Sequence, residues 1–161
     1  MNADSEINIG IPRSSQVRVS EFLNALLADE YLLYTKTRNF HWNVVGPHFN
    51  ELHKFFETQY ELLDQSIDDI AERARALGEN AVGTLTEFLK LTSLREQPGE
   101  YGDAHHMLSI LLADHETIIR SLRTALKACA EEHHDAGTSD FLTGLMEQHE
   151  KMAWMLRSFL N

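Results

Sequence analysis

Apolar side chains return at positions 49, 52, 56, 60, 63, 67, 70, 74 and 77, with no glycine or proline between them. Steps of three and four residues keep side chains on one face of an α-helix, so 49–77 is predicted to be one helix with a single apolar stripe. Upstream, Val19, Phe22, Leu23, Leu26, Leu27, Leu33, Tyr34 and Phe40 predict a helix from Ser15 or Gln16 to about Val44, broken by Gly46-Pro47. A third helix is expected from Asp103 to about His134, with Met107, Ile110, Leu111, Ile118, Leu122, Leu126 and Cys129 inward. A fourth is expected from about Ser139 to Leu160, on Phe141, Leu142, Leu145, His149, Met152, Met155, Leu156 and Phe159. The connection from Gly78 to Asp103 contains Gly83, Pro98, Gly99 and Gly102. Within it, Thr84 to Leu91 reads as a short helix with Thr84 as its cap. Residues 1–15 are polar and read as a flexible tail, leaving 16–161 as one all-α domain.

Composition narrows the class. A chain of 161 residues with 43% hydrophobic and 24% charged residues fits a globular domain with a sizeable core. The single cysteine, Cys129, excludes an internal disulfide framework and fits a reducing compartment. Neither a basic leader with an apolar core nor a run of eighteen apolar residues is found, so a cytoplasmic protein that does not span a membrane is expected. The net charge of −11 attracts cations and repels polyanions.

Polar residues of the second predicted helix flank its apolar stripe. Advancing about 100° per residue from His53 at zero, the stripe centres near −65°, while His53, Glu57, Asp68 and Glu72 fall at about 0°, 40°, 60° and 100°. His53 and Asp68 stand roughly 22 Å apart at about 1.5 Å per residue, too far for one ion. Two copies packed antiparallel about a two-fold axis near Leu62 and Leu63 would bring His53 and Glu57 of one beside Asp68 and Glu72 of the other. Two mixed sites would then form per dimer, in a closed geometry. Imidazole plus carboxylate without thiolate suits iron, manganese or zinc. Glu61 and Asp64 share this flank, and an acidic flank is ordinarily a solvated face, so spacing leaves both readings open. The Gly46-Pro47 turn brings His41 and His53 towards one end of a helical hairpin.

His41-Trp42-Asn43-Val44, Gly46, Phe49, Leu52-His53, Phe56-Glu57, Asp68-Asp69-Ile70-Ala71-Glu72-Arg73 and Leu77-Gly78 together resemble the signature of the Dps family, the mini-ferritins. The resemblance implies a ferritin-like four-helix bundle with a short helix in the long connection between helices 2 and 3. It implies twelve subunits, built from two-fold dimers into a hollow shell. The activity implied is ferroxidase: Fe2+ is oxidised, preferentially by hydrogen peroxide, and stored as Fe3+ mineral, which protects against oxidative damage.

By position, the resemblance puts the ligands at His41 and His53 of one subunit and Asp68 and Glu72 of its neighbour, with up to two irons per site. Glu57 stands where many members have aspartate. Trp42 resembles the site-proximal tryptophan that supplies electrons or intercepts radicals; otherwise it is a packing aromatic. Asp135 and Asp140 match carboxylates of an iron-entry pore, while Ala136 and Gly137 replace aspartates of some members. A plain turn is the other reading of that loop.

DNA-compacting members carry a lysine-rich tail, whereas this tail has only Arg13 against Asp4 and Glu6, and the chain has five lysines in all. A DNA-compacting nucleoid protein, with iron oxidation secondary, is the alternative function. His105, His106 and His115 lie among acids and are expected to be solvated. The one Glu-x-x-His, Glu131 to His134, has no partner pair, which disfavours a di-iron centre inside the bundle.

Overall fold

The computed structural model describes residues 7–161. Its helices are α1 (Arg13–Asn43), α2 (Phe49–Ala76), α3 (Leu85–Leu91), α4 (Ala104–Glu131) and α5 (Ala136–Leu160), with no strand among the described residues. α1 and α2 make one hairpin, α4 and α5 a second, and α1 packs on α2, α3 and α4. The expected tail lies partly outside the described residues, and α1 already begins at Arg13, which pairs with Glu79 at the far end of α2.

The elements end where local chemistry stops them. At the C-terminus of α2 the Gly78 N–H bonds to Arg75 O at 3.0 Å and the Glu79 N–H to Ala74 O at 3.2 Å, with Gly78 at φ +91°. This paired closure needs a left-handed residue, which glycine adopts without a Cβ clash. α3 starts in a capping box: Thr84 Oγ1 accepts from the Glu87 N–H, and the Glu87 carboxylate accepts from the Thr84 N–H. The Thr84 hydroxyl, which also donates to the Glu87 carboxylate at 2.6 Å, and then the Gly83 and Thr84 N–H groups hold the Glu87 carboxyl below its ordinary range. α4 stops at Glu131, three residues before the expected end, because His134 turns left-handed at φ 54°. α5 begins three residues ahead of expectation, capped by Asp135.

Phe40, Phe56, Leu63, Ile70, Met107 and Ile118 are among the fully buried side chains of the core. Truncating Phe56 to alanine would cost about 3–5 kcal/mol in lost transfer energy and cavity. Phe49, expected in the stripe, is 45% exposed, and the buried positions of α2 include the polar Gln59 and Ser66. Cys129 is buried, and burial pushes its thiol up to about 11, so it is unreactive at neutral pH. α3 is tied to α1 by the Tyr31–Phe88 stack, with centroids 4.4 Å apart, and Asp29 then accepts from Thr92 Oγ1 and the Ser93 N–H. The long connection thus lies along α1.

Candidate metal centre

Val44 to His48 form the turn between α1 and α2, with Gly46 at φ +113° and the Phe49 N–H bonding back to Gly46 O at 3.1 Å. This turn sets His41, two residues before the end of α1, against His53 in the second turn of α2. The rings stack with centroids 3.7 Å apart and 20° between planes. His41 Nδ1 lies 2.7 Å from the backbone oxygen of His53, and His53 Nδ1 lies 2.8 Å from that of His41. A carbonyl oxygen only accepts, so both Nδ1 atoms carry the hydrogen and both Nε2 atoms keep a lone pair in the neutral rings. Backbone bonds of this kind fix the tautomer and orientation of metal-ligating histidines.

Aromatic groups enclose the pair. Tyr60 meets His41 edge-on at 5.3 Å, and Phe49 lies 5.1 Å from the His53 ring. The Arg38 guanidinium sits 5.2 Å from the ring centres of both Trp42 and Tyr60, and its Nη1 donates to Tyr34 Oη at 2.6 Å. Burial, and then the charge of Glu57, push the Tyr60 phenol above its ordinary value. Tyr34, Arg38 and Trp42 follow one another at four-residue spacing on α1, a signal readable in the sequence that the motif at 41–43 overshadowed. His41 is buried and Trp42 is 64% exposed.

Glu57 is half-buried one turn beyond His53, and Asp68 and Glu72 are exposed farther along α2. Within one subunit these carboxylates do not meet the histidines: among the described residues no group of three or more His, Cys, Asp or Glu side chains is close enough to hold a metal ion. Neither Asp68 nor Glu72 has a side-chain hydrogen bond or ion pair among those residues. The α4–α5 turn also separates its two acids. Asp135 is 2% exposed, accepts from the Thr138 N–H at 2.9 Å and from Arg73 Nη2 at 3.1 Å, and binds Thr138 Oγ1 through its other oxygen. Both its oxygens are therefore engaged in closing the turn, whereas Asp140 is exposed.

Contrary to the expectation of a solvated side chain, His115 is 1% exposed. Its Nδ1 lies 2.9 Å from Nδ1 of His149, whose Nε2 lies 2.6 Å from Glu30 Oε1. The acids near it in sequence hid a position that helical spacing places inward, four residues after Leu111.

Comparison with known proteins agrees with this architecture. The family model described as a ferritin-like domain matches residues 20–161. A low temperature-induced protein of Nostoc sp. is 49% identical over 154 residues, covering 96% of this chain and 86% of its own length. DNA protection during starvation protein 2 of Bacillus anthracis is 41% identical over 145 residues, covering 89% and 97% respectively. The crystal structure of a Dps protein from Vibrio cholerae, described as a member of a broad superfamily of ferritin-like diiron-carboxylate proteins, superposes with a TM-score of 0.92. The match is at 30% identity and covers 100% of each chain. With its helical order, its histidine pair and these matches, the chain belongs to the Dps family of ferritin-like proteins.

Proposed function

We propose that the chain is an iron-sequestering mini-ferritin of the cytoplasm. In this reading its subunits oxidise Fe2+ with hydrogen peroxide at sites shared across a two-fold interface and store ferric mineral in a dodecameric shell. The observation that carries it is the reciprocal bonding of His41 and His53, which leaves two Nε2 lone pairs on adjacent, oriented rings. Asp68 and Glu72 supply the oxygen donors from the neighbouring subunit. Leu62, 42% exposed near the middle of α2, and Leu85 and Leu89, 68% and 58% exposed on α3, give that neighbour an apolar surface to cover.

Iron is the substrate. Nitrogen and carboxylate donors suit ferrous iron, and the carboxylates favour the harder ferric ion, which lowers the potential of the bound ions and drives electrons to the oxidant. Two ferrous ions each lose one electron, and one peroxide takes both with two protons to leave as two waters. Keeping the two ions together favours this paired transfer over one-electron release of hydroxyl radical. Glu57, half-buried beside the pair, adds negative charge either as a ligand or through water. Trp42 and Tyr60 stand where a stray oxidising equivalent would meet a ring before solvent. Asp140 is the exposed acid offered to an entering cation. The relatives' name speaks of DNA protection; here the net charge of −11 favours protection by removing iron over compaction of DNA.

Stopped-flow iron oxidation with peroxide tests the reading on the wild type and on the Asp68→Ala/Glu72→Ala pair, with shell size followed by light scattering. Rapid oxidation in the wild type that disappears in an intact variant shell is the expected outcome. Equal rates in both would overturn the inter-subunit assignment.

A further inference from the structure

The bundle core holds a second set of titratable groups that the iron chemistry does not use. Glu30 of α1, His115 of α4 and His149 of α5 are 0%, 1% and 0% exposed. They form one chain, Glu30 Oε1 to His149 Nε2 at 2.6 Å and His149 Nδ1 to His115 Nδ1 at 2.9 Å, and so link three helices. The other Glu30 oxygen, Oε2, is buried without a hydrogen-bond partner among the described residues. Among the described residues no other charged group is hydrogen-bonded or ion-paired to the chain. Buried positions of α2 carry no titratable residue, and α3 buries only Phe88. Asp29 faces Thr92 and Ser93, while Asp114 pairs with Lys36 at 2.6 Å.

Proton counting decides what this chain can do. Each imidazole nitrogen at the Nδ1–Nδ1 contact is either a donor or an acceptor. The contact needs one hydrogen, supplied from either side, so the two rings together carry two ring protons when neutral and three when they share one positive charge. A fourth would place two N–H groups face to face at 2.9 Å. One shared charge is balanced by the Glu30 carboxylate; a second, fully buried, has no counter-ion. In water both histidines would take their second proton near their ordinary pKa of about 6.5.

We propose that Glu30, His149 and His115 form a proton-operated lock on the bundle, which holds at most one positive charge on the histidine pair while closed and opens when acid forces on a second. It is independent of the iron site, and its consequence is a shell whose subunits loosen in acid. Burial, and then the charge of His149, hold the His115 imidazole well below its ordinary value. The sign follows from linkage: a histidine depressed in the folded state stabilises fully above about pH 6.5 and loses that contribution as pH falls below it, because the unfolded chain binds more protons.

The test is calorimetric unfolding of the assembled protein between pH 7 and pH 5, in buffers of different ionisation enthalpy, with His115→Asn for comparison. Asparagine places an amide at the Nδ1 position but does not titrate. Wild type should take up about one more proton per chain than the variant on unfolding at pH 5. Its unfolding equilibrium should steepen by about tenfold per pH unit relative to the variant below about pH 6. Equal uptake and parallel pH curves would overturn the lock. Should His115→Asn fail to assemble, hydrogen exchange at the C2 position of each imidazole, read by mass spectrometry on the wild type, reports the same quantity. A His115 ring still neutral at pH 5 supports the proposal, and an ordinary midpoint near 6.5 ends it.

Discussion

Two pairs of histidines sit in this bundle, and they differ in what their nitrogens face. His41 and His53 are stacked at the hairpin end, each donating Nδ1–H to the other's backbone oxygen. His115 and His149 are tilted, 53° between planes, in the core, bonded to each other and, through His149, to Glu30. The first pair is anchored to groups that can only accept, so its free nitrogens are fixed as lone pairs. In the second pair the contacting nitrogens can exchange roles as donor and acceptor, so geometry does not fix which ring carries the shared hydrogen, and no nitrogen of His149 is left over. Burial and residue type are therefore poor guides to a metal-binding histidine; the character of its partner decides.

Breaking the first pair should have the largest effect on activity. His53→Ala removes an Nε2 donor and also the N–H that His41 O accepts. Initial rates of peroxide-driven iron oxidation in an assembled shell are expected to fall at least about a hundredfold, equivalent to ~2.7 kcal/mol in the barrier. Breaking the second pair should act on stability instead. Glu30→Ala leaves the histidine chain without its counter-charge, at a cost of about 3–5 kcal/mol at pH 6. For a chain of this length that is a drop of roughly 6–20 °C in the calorimetric Tm. Oxidation rates at room temperature, normalised to assembled protein, should stay within about twofold of wild type. A Glu30→Ala shell that oxidises iron as slowly as His53→Ala would erase the distinction between the pairs.

The first pair is legible in the sequence and the second only by half: helical spacing places His149 inward, as found, while His115 reads as solvated. The Gly46-Pro47 break between two long helical periodicities is enough to predict that His41 and His53 share one end of a hairpin. The cap at Thr84 and the break at Gly46-Pro47 were readable for the same reason, since each depends on residues adjacent in sequence. His115 was misplaced because its neighbours Asp114 and Glu116 look solvated. Asp114 in fact reaches Lys36 on another helix, a partner 78 residues away. Asp135 shows the same limit: only the approach of Arg73 and Thr138 turns a loop acid into a buried cap. The joint between α4 and α5 lies three residues upstream of its expected place at both ends because the left-handed turn falls on His134, a residue type that does not announce one.

The smallest effect concerns Glu57, which stands between the two ways a carboxylate can serve the first pair. Glu57→Gln keeps the size and removes the charge. If Glu57 acts through water, oxidation should slow only a few-fold, about 1 kcal/mol in the barrier by the same arithmetic. If it binds iron directly, the loss should approach that of the Asp68→Ala/Glu72→Ala pair. The Tyr60 phenol supplies an independent reading in the absence of iron. Its upward shift comes first from burial and second from Glu57, so the variant should lower its titration part of the way towards the ordinary value of about 10. Phenolate absorbance measured against a Tyr60→Phe control isolates this ring from the other three tyrosines. A Tyr60 titration unmoved by Glu57→Gln would mean that the carboxylate turns away from the Tyr60 ring in the iron-free protein.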